Sequence, residues 1–309
     1  CLNLTTYCLC HFAASNHLYQ TGEWRNDKDN ASGKRVWELC IYPDLTGGRN
    51  RKSLNLAKQS YSIHYQWMLS QLRTMIGFRL LEYYLLHRKD IPDVNHLRDL
   101  KGIAFLQCLA QGRQRHRIEA YQAVQASAAG ALTVLEKAQP DEKWPEELQG
   151  IVNDPVLCPF DKLVEILATT QDEMRNNMMN FMVSCTIKNS ESGILSGDYR
   201  SREDSFYSLG GQMLEALVHL LTLKEGHPPR SRPLTIYEFV DELKRRYGIW
   251  IDEPPPELDQ SYEARKAAQE NFIALKERLR QMGFFRSVSD ARRLQLLEPR
   301  YQPVGELRI

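Results

Sequence analysis

The sequence predicts a mainly α-helical protein, a helical bundle core followed by a C-terminal module of two helices and a small β-hairpin. Two observations predict it: apolar residues recur at three- and four-residue spacing through most of the 309 residues, and strand-like patterning is confined to the end of the chain. A third is the placement of prolines and glycines, which cut the periodicity into helix-sized pieces.

At 42% hydrophobic residues the chain can fill a sizeable core, and its length fits two or three packed units. Forty basic and thirty-nine acidic residues leave a formal charge of +1, so a nucleic-acid surface has to come from local clustering. The longest apolar-rich stretch, residues 63–86, carries Gln66, Gln71, Arg73, Arg79 and Glu82, a spacing that lipid does not tolerate. It reads as a buried helix of a soluble protein. The opening Cys1-Leu2-Asn3-Leu4 shows no signal-peptide pattern, and seven cysteines without framework spacing fit reduced thiols. A cytoplasmic location without membrane contact is expected.

In chain order, residues 7–19 are apolar enough to be packed and residues 22–35 polar enough to be a loop. From Ser53 to about Pro92 one long helix is predicted, with a kink at Gly77. Residues 97–109 and 118–137 follow as helices, and Ala126, Ala129 and Gly130 on the second are small enough for a neighbouring helix to approach closely. Pro140, Pro145, Pro155 and Pro159, with acids between them, mark a connector over 140–160 after a first helical domain, 1–139. A helical unit over 161–226 comes next. Within it Asp161 should cap a helix running to about Lys188, with a methionine stripe as core filler, and a second helix should span 205–224.

The final module, 233–309, has the best-marked signals. Thr235 and Glu238 form a capping-box pattern, and Gly248 closes the helix that carries Ile236, Phe239, Val240, Leu243 and Tyr247 on one face. Ile249-Trp250-Ile251 reads as a short strand, and residues 252–256 forbid helix until Ser261. A helix of about six turns then carries Ala264, Ala268, Phe272, Leu275, Leu279 and Met282 and stops at Gly283. Residues 284–288 and 292–297 flank Ser289-Asp290-Ala291 as a hairpin.

The run Leu275, Leu279, Met282-Gly283-Phe284, a Ser-Asp turn and an arginine-led strand resembles the end of a winged-helix domain, over roughly residues 233–301. The resemblance implies that the helix before the wing is a recognition helix. A departure accompanies it, since the Pro-rich 252–256 stands where the family has its second helix.

Residues 263–293 hold eight cations against four acids. Lys276 and Arg280 share an exposed helical face, and Arg286, Arg292 and Arg293 would lie on the wing, where flexible cations can reach phosphates. The same run also reads as a solvated face. Arg113, Arg115 and Arg117 open a helix at the end where the dipole disfavours cations, which points to an outside anionic partner or to an exposed helix that absorbs the cost. Arg49, Arg51 and Lys52 beside Gly47-Gly48 read as a plain loop.

Cys8, Cys10, His11 and Cys40 lack the spacing of a zinc knuckle, so no metal and no cofactor is expected. No nucleophile elbow, phosphate loop or dinucleotide fingerprint occurs. The expected function is therefore a non-catalytic helical subunit that binds nucleic acid, DNA ahead of RNA, or a partner protein, within a larger nucleic-acid-processing or antiviral defence assembly. Two alternatives stay open, a pure protein-interaction scaffold and an enzyme whose acidic site lies near Asp198 and Asp204.

Overall fold

The computed structural model describes residues 2–24, 39–86, 99–114, 119–138, 145–198, 204–224, 230–285 and 296–299. Ten helices and three two-stranded sheets lie among them, as a mainly α chain requires. In chain order they are α1 (Leu2–Thr21), α2 (Arg51–Leu86), α3 (Gly102–Gln114), α4 (Glu119–Ala138), α5 (Glu146–Asn153), α6 (Pro159–Thr170) and α7 (Asp172–Thr186). Then follow β1 (Leu195–Ser196), β2 (Phe206–Tyr207), α8 (Gly211–Thr222), β3 (Leu223–Lys224), β4 (Arg230–Ser231), β5 (Leu234–Thr235), α9 (Ile236–Tyr247), α10 (Tyr262–Gln281) and β6 (Leu296–Leu297). Among the described residues no helix is long and apolar enough to cross a membrane.

The chain divides into two compact units. One gathers Cys8–Trp37 and Gln66–Asn180, the other Cys1–Tyr7, Glu38–Tyr65 and Phe181–Ile309.

The first unit is a helix cluster around Leu18, Phe78, Leu81, Leu109, Val124 and Phe160. Gly77 has a packing role: a Cβ there would lie 2.2 Å from the Tyr19 hydroxyl oxygen, and the Tyr19 ring meets Phe78 edge-on at 5.2 Å. On α4 the buried positions are Tyr121, Val124 and Ala128, whereas Ala126 and Gly130 are exposed and a Cβ at Gly130 would meet nothing within 4 Å, so the small residue that packs into the core is Ala128 and not Ala126 or Gly130.

The helix expected from Asp161 to Lys188 is two helices. Cys158, not Asp161, is the N-cap of α6, because Pro159 can occupy the first turn, where no backbone N–H is needed; Asp161 sits in that turn and gives its N–H to the Cys158 sulfur. The break falls at Gln171, whose backbone leaves the helical region at φ −88°, ψ 60°. Arg175 donates to the freed Thr169 carbonyl at 2.8 Å, so the interruption costs little in unsatisfied groups.

In the second unit α8 is shorter than the expected 205–224. Phe206 and Tyr207 pair with Ser196 and Leu195 in an antiparallel ladder, which holds the chain extended until Gly210 starts the helix. The core joins Tyr42 and Leu56 to Trp250, Leu258, Ala264 and Ala268. Its most distant tie is Asn271, fully buried on α10, which accepts from the Leu45 N–H at 2.7 Å and donates to the Pro43 carbonyl at 3.0 Å.

The module around α9 and α10 follows its local signals. The Thr235 hydroxyl accepts from the Glu238 N–H at 3.2 Å while the Glu238 carboxylate accepts from the Thr235 N–H at 2.8 Å, a complete capping box. Gly248 ends α9 at φ +65°, and a Cβ there would meet Leu39 at 2.5 Å. Ile249 bridges Ile41 in parallel, Ser261 caps α10, and Gly283 ends it in the left-handed region. Antiparallel contact of Phe285 with Leu297 joins the two ends of the expected hairpin, and Leu297 also pairs with Leu234 of β5. The turn of that hairpin lies outside the described residues.

Candidate functional site

The predicted cations fall into three groups. Lys276 and Arg280 are on α10 as expected, with Arg280 exposed and the Lys276 ammonium 4.6 Å from the Phe272 ring centre. Arg286, Arg292, Arg293, Arg115 and Arg117 lie outside the described residues, as does the side chain of Arg113, whose backbone is in α3.

Around Lys276 and Arg280, helical periodicity aligns Tyr262, Arg265, Gln269 and Ile273 on one stripe of α10. Tyr262 is 82% exposed and Ile273 50%, so aromatic and aliphatic surface alternates with positive charge, and the stripe itself holds no acid, with Glu270 and Glu277 at its edge. Arg265, Lys276 and Arg280 make no ion pair with another described residue. The last turn of α9 differs: Arg245 and Arg246 both bind Glu242 at 2.6 Å, and Lys244 binds Glu253 and stacks on Trp250. A surface whose cations are already paired offers less to a phosphate than one whose cations are not.

The opposite flank of α10 borders a cleft of about 670 Å³ that sequence reading missed. One wall is the loop from Asp44 to Gly48, held rigid by the Asp44 carboxylate, which accepts from the Thr46 hydroxyl and Ser53 hydroxyl at 2.7 Å each and from the Gly48 N–H at 2.8 Å. A second wall is the 187–193 turn with Gly210 and Gly211. There Glu191 accepts from the Gly211 N–H at 2.7 Å through its carboxylate and from the Met213 N–H at 3.0 Å through its carbonyl. Gly210 has to be glycine, since a Cβ would lie 2.2 Å from the Glu191 carbonyl oxygen. The third side is Arg278, Gln281 and Met282 at the end of α10.

Arg278 donates to the Leu209 carbonyl at 3.0 Å; burial lowers its affinity for the proton, opposed by the charges of Asp44 and Glu191. The turn is strained, with Ile187 at φ +48° and Asn189 at +59°. For β-branched Ile187 this conformation costs about 1–3 kcal/mol and has to be held by its surroundings, a feature that clusters at ligand sites. The density of Gly and Ser in 189–211, together with Gly47-Gly48, is the available sequence signal.

A cysteine–histidine pair also occurs in this unit. Cys40 Sγ lies 3.6 Å from His64 Nε2, and His64 Nδ1 lies 2.7 Å from the Tyr207 hydroxyl. Burial holds the imidazole at about 3 and, with Glu257, pushes the thiol up to about 12, so no thiolate–imidazolium pair exists near neutrality. The arrangement is a buried hydrogen-bonded chain. Among the described residues no three His, Cys, Asp or Glu side chains gather to hold a metal ion. Of the acidic alternative, Asp204 pairs with Lys58 at 3.3 Å, and the buried Lys188 ammonium binds the Asp198 carbonyl and the Ser205 hydroxyl at 2.7 Å each. Arg200, Arg202 and Glu203 lie outside the described residues.

A protein-family profile described as methylation-associated defense system protein MAD7 matches residues 1–301. No curated protein and no solved structure matches the chain.

Proposed function

The chain belongs to the methylation-associated defense system protein MAD7 family, and from that premise we propose that it serves its antiviral defence system as a non-catalytic subunit that holds nucleic acid, duplex DNA first, on α10. The observation that carries this reading is the stripe of Arg265, Lys276 and Arg280, with exposed Tyr262 at its start and exposed Ile273 among the cations. Cations supply the phosphate contacts, and aromatic or aliphatic side chains between them supply contact area with sugars or bases.

The winged-helix resemblance is supported by the order β5, α9, α10, the strand at Phe285 and β6, with Leu297 pairing on both sides. In that reading α10 is the recognition helix, and Arg286, Arg292 and Arg293 extend its surface. Solubility in a cytoplasmic assembly with protein partners is part of the same proposal.

The test is a gel-shift titration of duplex DNA, single-stranded DNA and RNA at two salt concentrations, with wild type and an Arg265→Ala, Lys276→Ala, Arg280→Ala variant. Each lost phosphate contact should reduce the salt slope by about 0.9, so a reduction of about 2–3 is expected for the triple variant. An unchanged slope, or no binding to any of the three, overturns the reading. The scaffold alternative has an observation of its own: Tyr237, 63% exposed, lies 5.5 Å from the Phe272 ring and adds aromatic surface beside the stripe. Capture of a partner subunit that is insensitive to salt and lost in Tyr237→Ala would favour it.

A further inference from the structure

We propose that the cleft between the Asp44 loop, the strained 187–193 turn and the end of α10 is a nucleoside-binding site, which recognises the base through Glu191 and Arg278. The inference is independent of the stripe on the other flank of α10.

Three observations carry it. The volume, about 670 Å³, falls in the middle of the range of small-molecule pockets. Its polar groups are of opposite hydrogen-bonding character: the Glu191 carboxylate only accepts, and the Arg278 guanidinium only donates. A nucleobase edge sets N–H donors beside ring-nitrogen or carbonyl acceptors, which complements such a pair. Phe206 is only half-buried where it lines the cleft, so its ring can flank a planar ligand, and the Ser190 hydroxyl, which accepts from the Ser192 N–H, keeps its own proton to donate to a sugar hydroxyl.

The charges set the form of the ligand. Asp44 and Glu191 against Arg278 leave the lining with one net negative charge, which disfavours a polyphosphate and leaves an uncharged nucleoside unopposed. Asp44 is already satisfied by its own loop, so its part is to hold the wall and to orient Arg278 through its field. The strain at Ile187 is a separate mark of the same place, since the turn it distorts brings Glu191 to the cleft.

The experiment is calorimetric titration of the full chain with adenosine, guanosine, cytidine and uridine, with ATP and free arginine as comparisons, and melting temperature as a second readout. At least one nucleoside should saturate below about 1 mM and raise the melting temperature, and ATP should bind more weakly than adenosine. Arg278→Ala and Glu191→Gln should each weaken that nucleoside at least about tenfold. Glu191→Gln keeps an oxygen for the Gly211 N–H, so its loss of affinity cannot be assigned to unfolding, and an unchanged melting temperature without ligand verifies this. The proposal fails if no nucleoside saturates below about 1 mM, if arginine binds and nucleosides do not, if ATP binds more tightly than adenosine, or if Glu191→Gln leaves affinity unchanged.

Discussion

Acid should weaken this fold most sharply through His64. Its imidazole is 2% exposed, bonded to the Tyr207 hydroxyl, and held neutral by burial down to about 3, against an ordinary value of 6.5. A folded-state value below the unfolded one means that the unfolded chain takes up the proton first. The stabilisation is therefore complete above 6.5 and is lost as pH falls toward 3. The whole shift corresponds to about 5 kcal/mol, and at pH 5 the loss is already about 2 kcal/mol. Urea unfolding of wild type and His64→Gln at pH 7.5, 6, 5 and 4 measures it. The variant starts less stable but should lose about 1.2 kcal/mol less per pH unit between 6 and 4. Equal slopes for the two proteins would show that His64 is not the buried neutral group, and the argument from its surroundings would fall.

Two glycines in helices should respond in opposite directions to alanine. Gly77→Ala should destabilise by about 1–3 kcal/mol, because its Cβ meets the Tyr19 hydroxyl, whereas Gly130→Ala should stabilise by about 0.5–1 kcal/mol in open space, both read by thermal unfolding. Asn271→Leu should cost about 3 kcal/mol or more, since it leaves the Leu45 N–H and the Pro43 carbonyl buried without their partner, and denaturant unfolding checks it. Cys40, with its thiol pushed up to about 12, should stay unmodified by iodoacetamide at pH 8 in the native protein and react after denaturation, as peptide mapping can show.

What could be read from the sequence depended on how local its cause was. The Thr235–Glu238 capping box and the Gly248 stop act within one helical turn, and both occur where the residue pattern places them. The break at Gln171 has no proline or glycine to announce it, and the apolar spacing resumes at Met174, seven residues after Leu167; Arg175, four residues after the break, makes the interruption tolerable. Residues 39–45 carry no periodic signal because their order comes from Gly248, Trp250 and Asn271, more than two hundred residues away. The cleft was illegible for the same reason. Helical spacing sets Arg278 on the face opposite Lys276 and Arg280, but nothing in that run tells that this face meets Asp44 and Glu191.

The unit that holds both candidate surfaces is assembled from the start of the chain, residues 38–65 and everything after 181. During synthesis its early pieces therefore leave the ribosome more than a hundred residues before their partners exist. Leu45 and Pro43 wait for Asn271, and Ile41 waits for Gly248 and Trp250. Residues 66–180, whose buried core around Leu81 and Phe160 takes, among the described residues, only Leu18 and Tyr19 from the chain before them, can form first, so the proposed binding surfaces are the last part of the molecule to become competent. A chain that ends before residue 181 would present the helical cluster without either proposed surface.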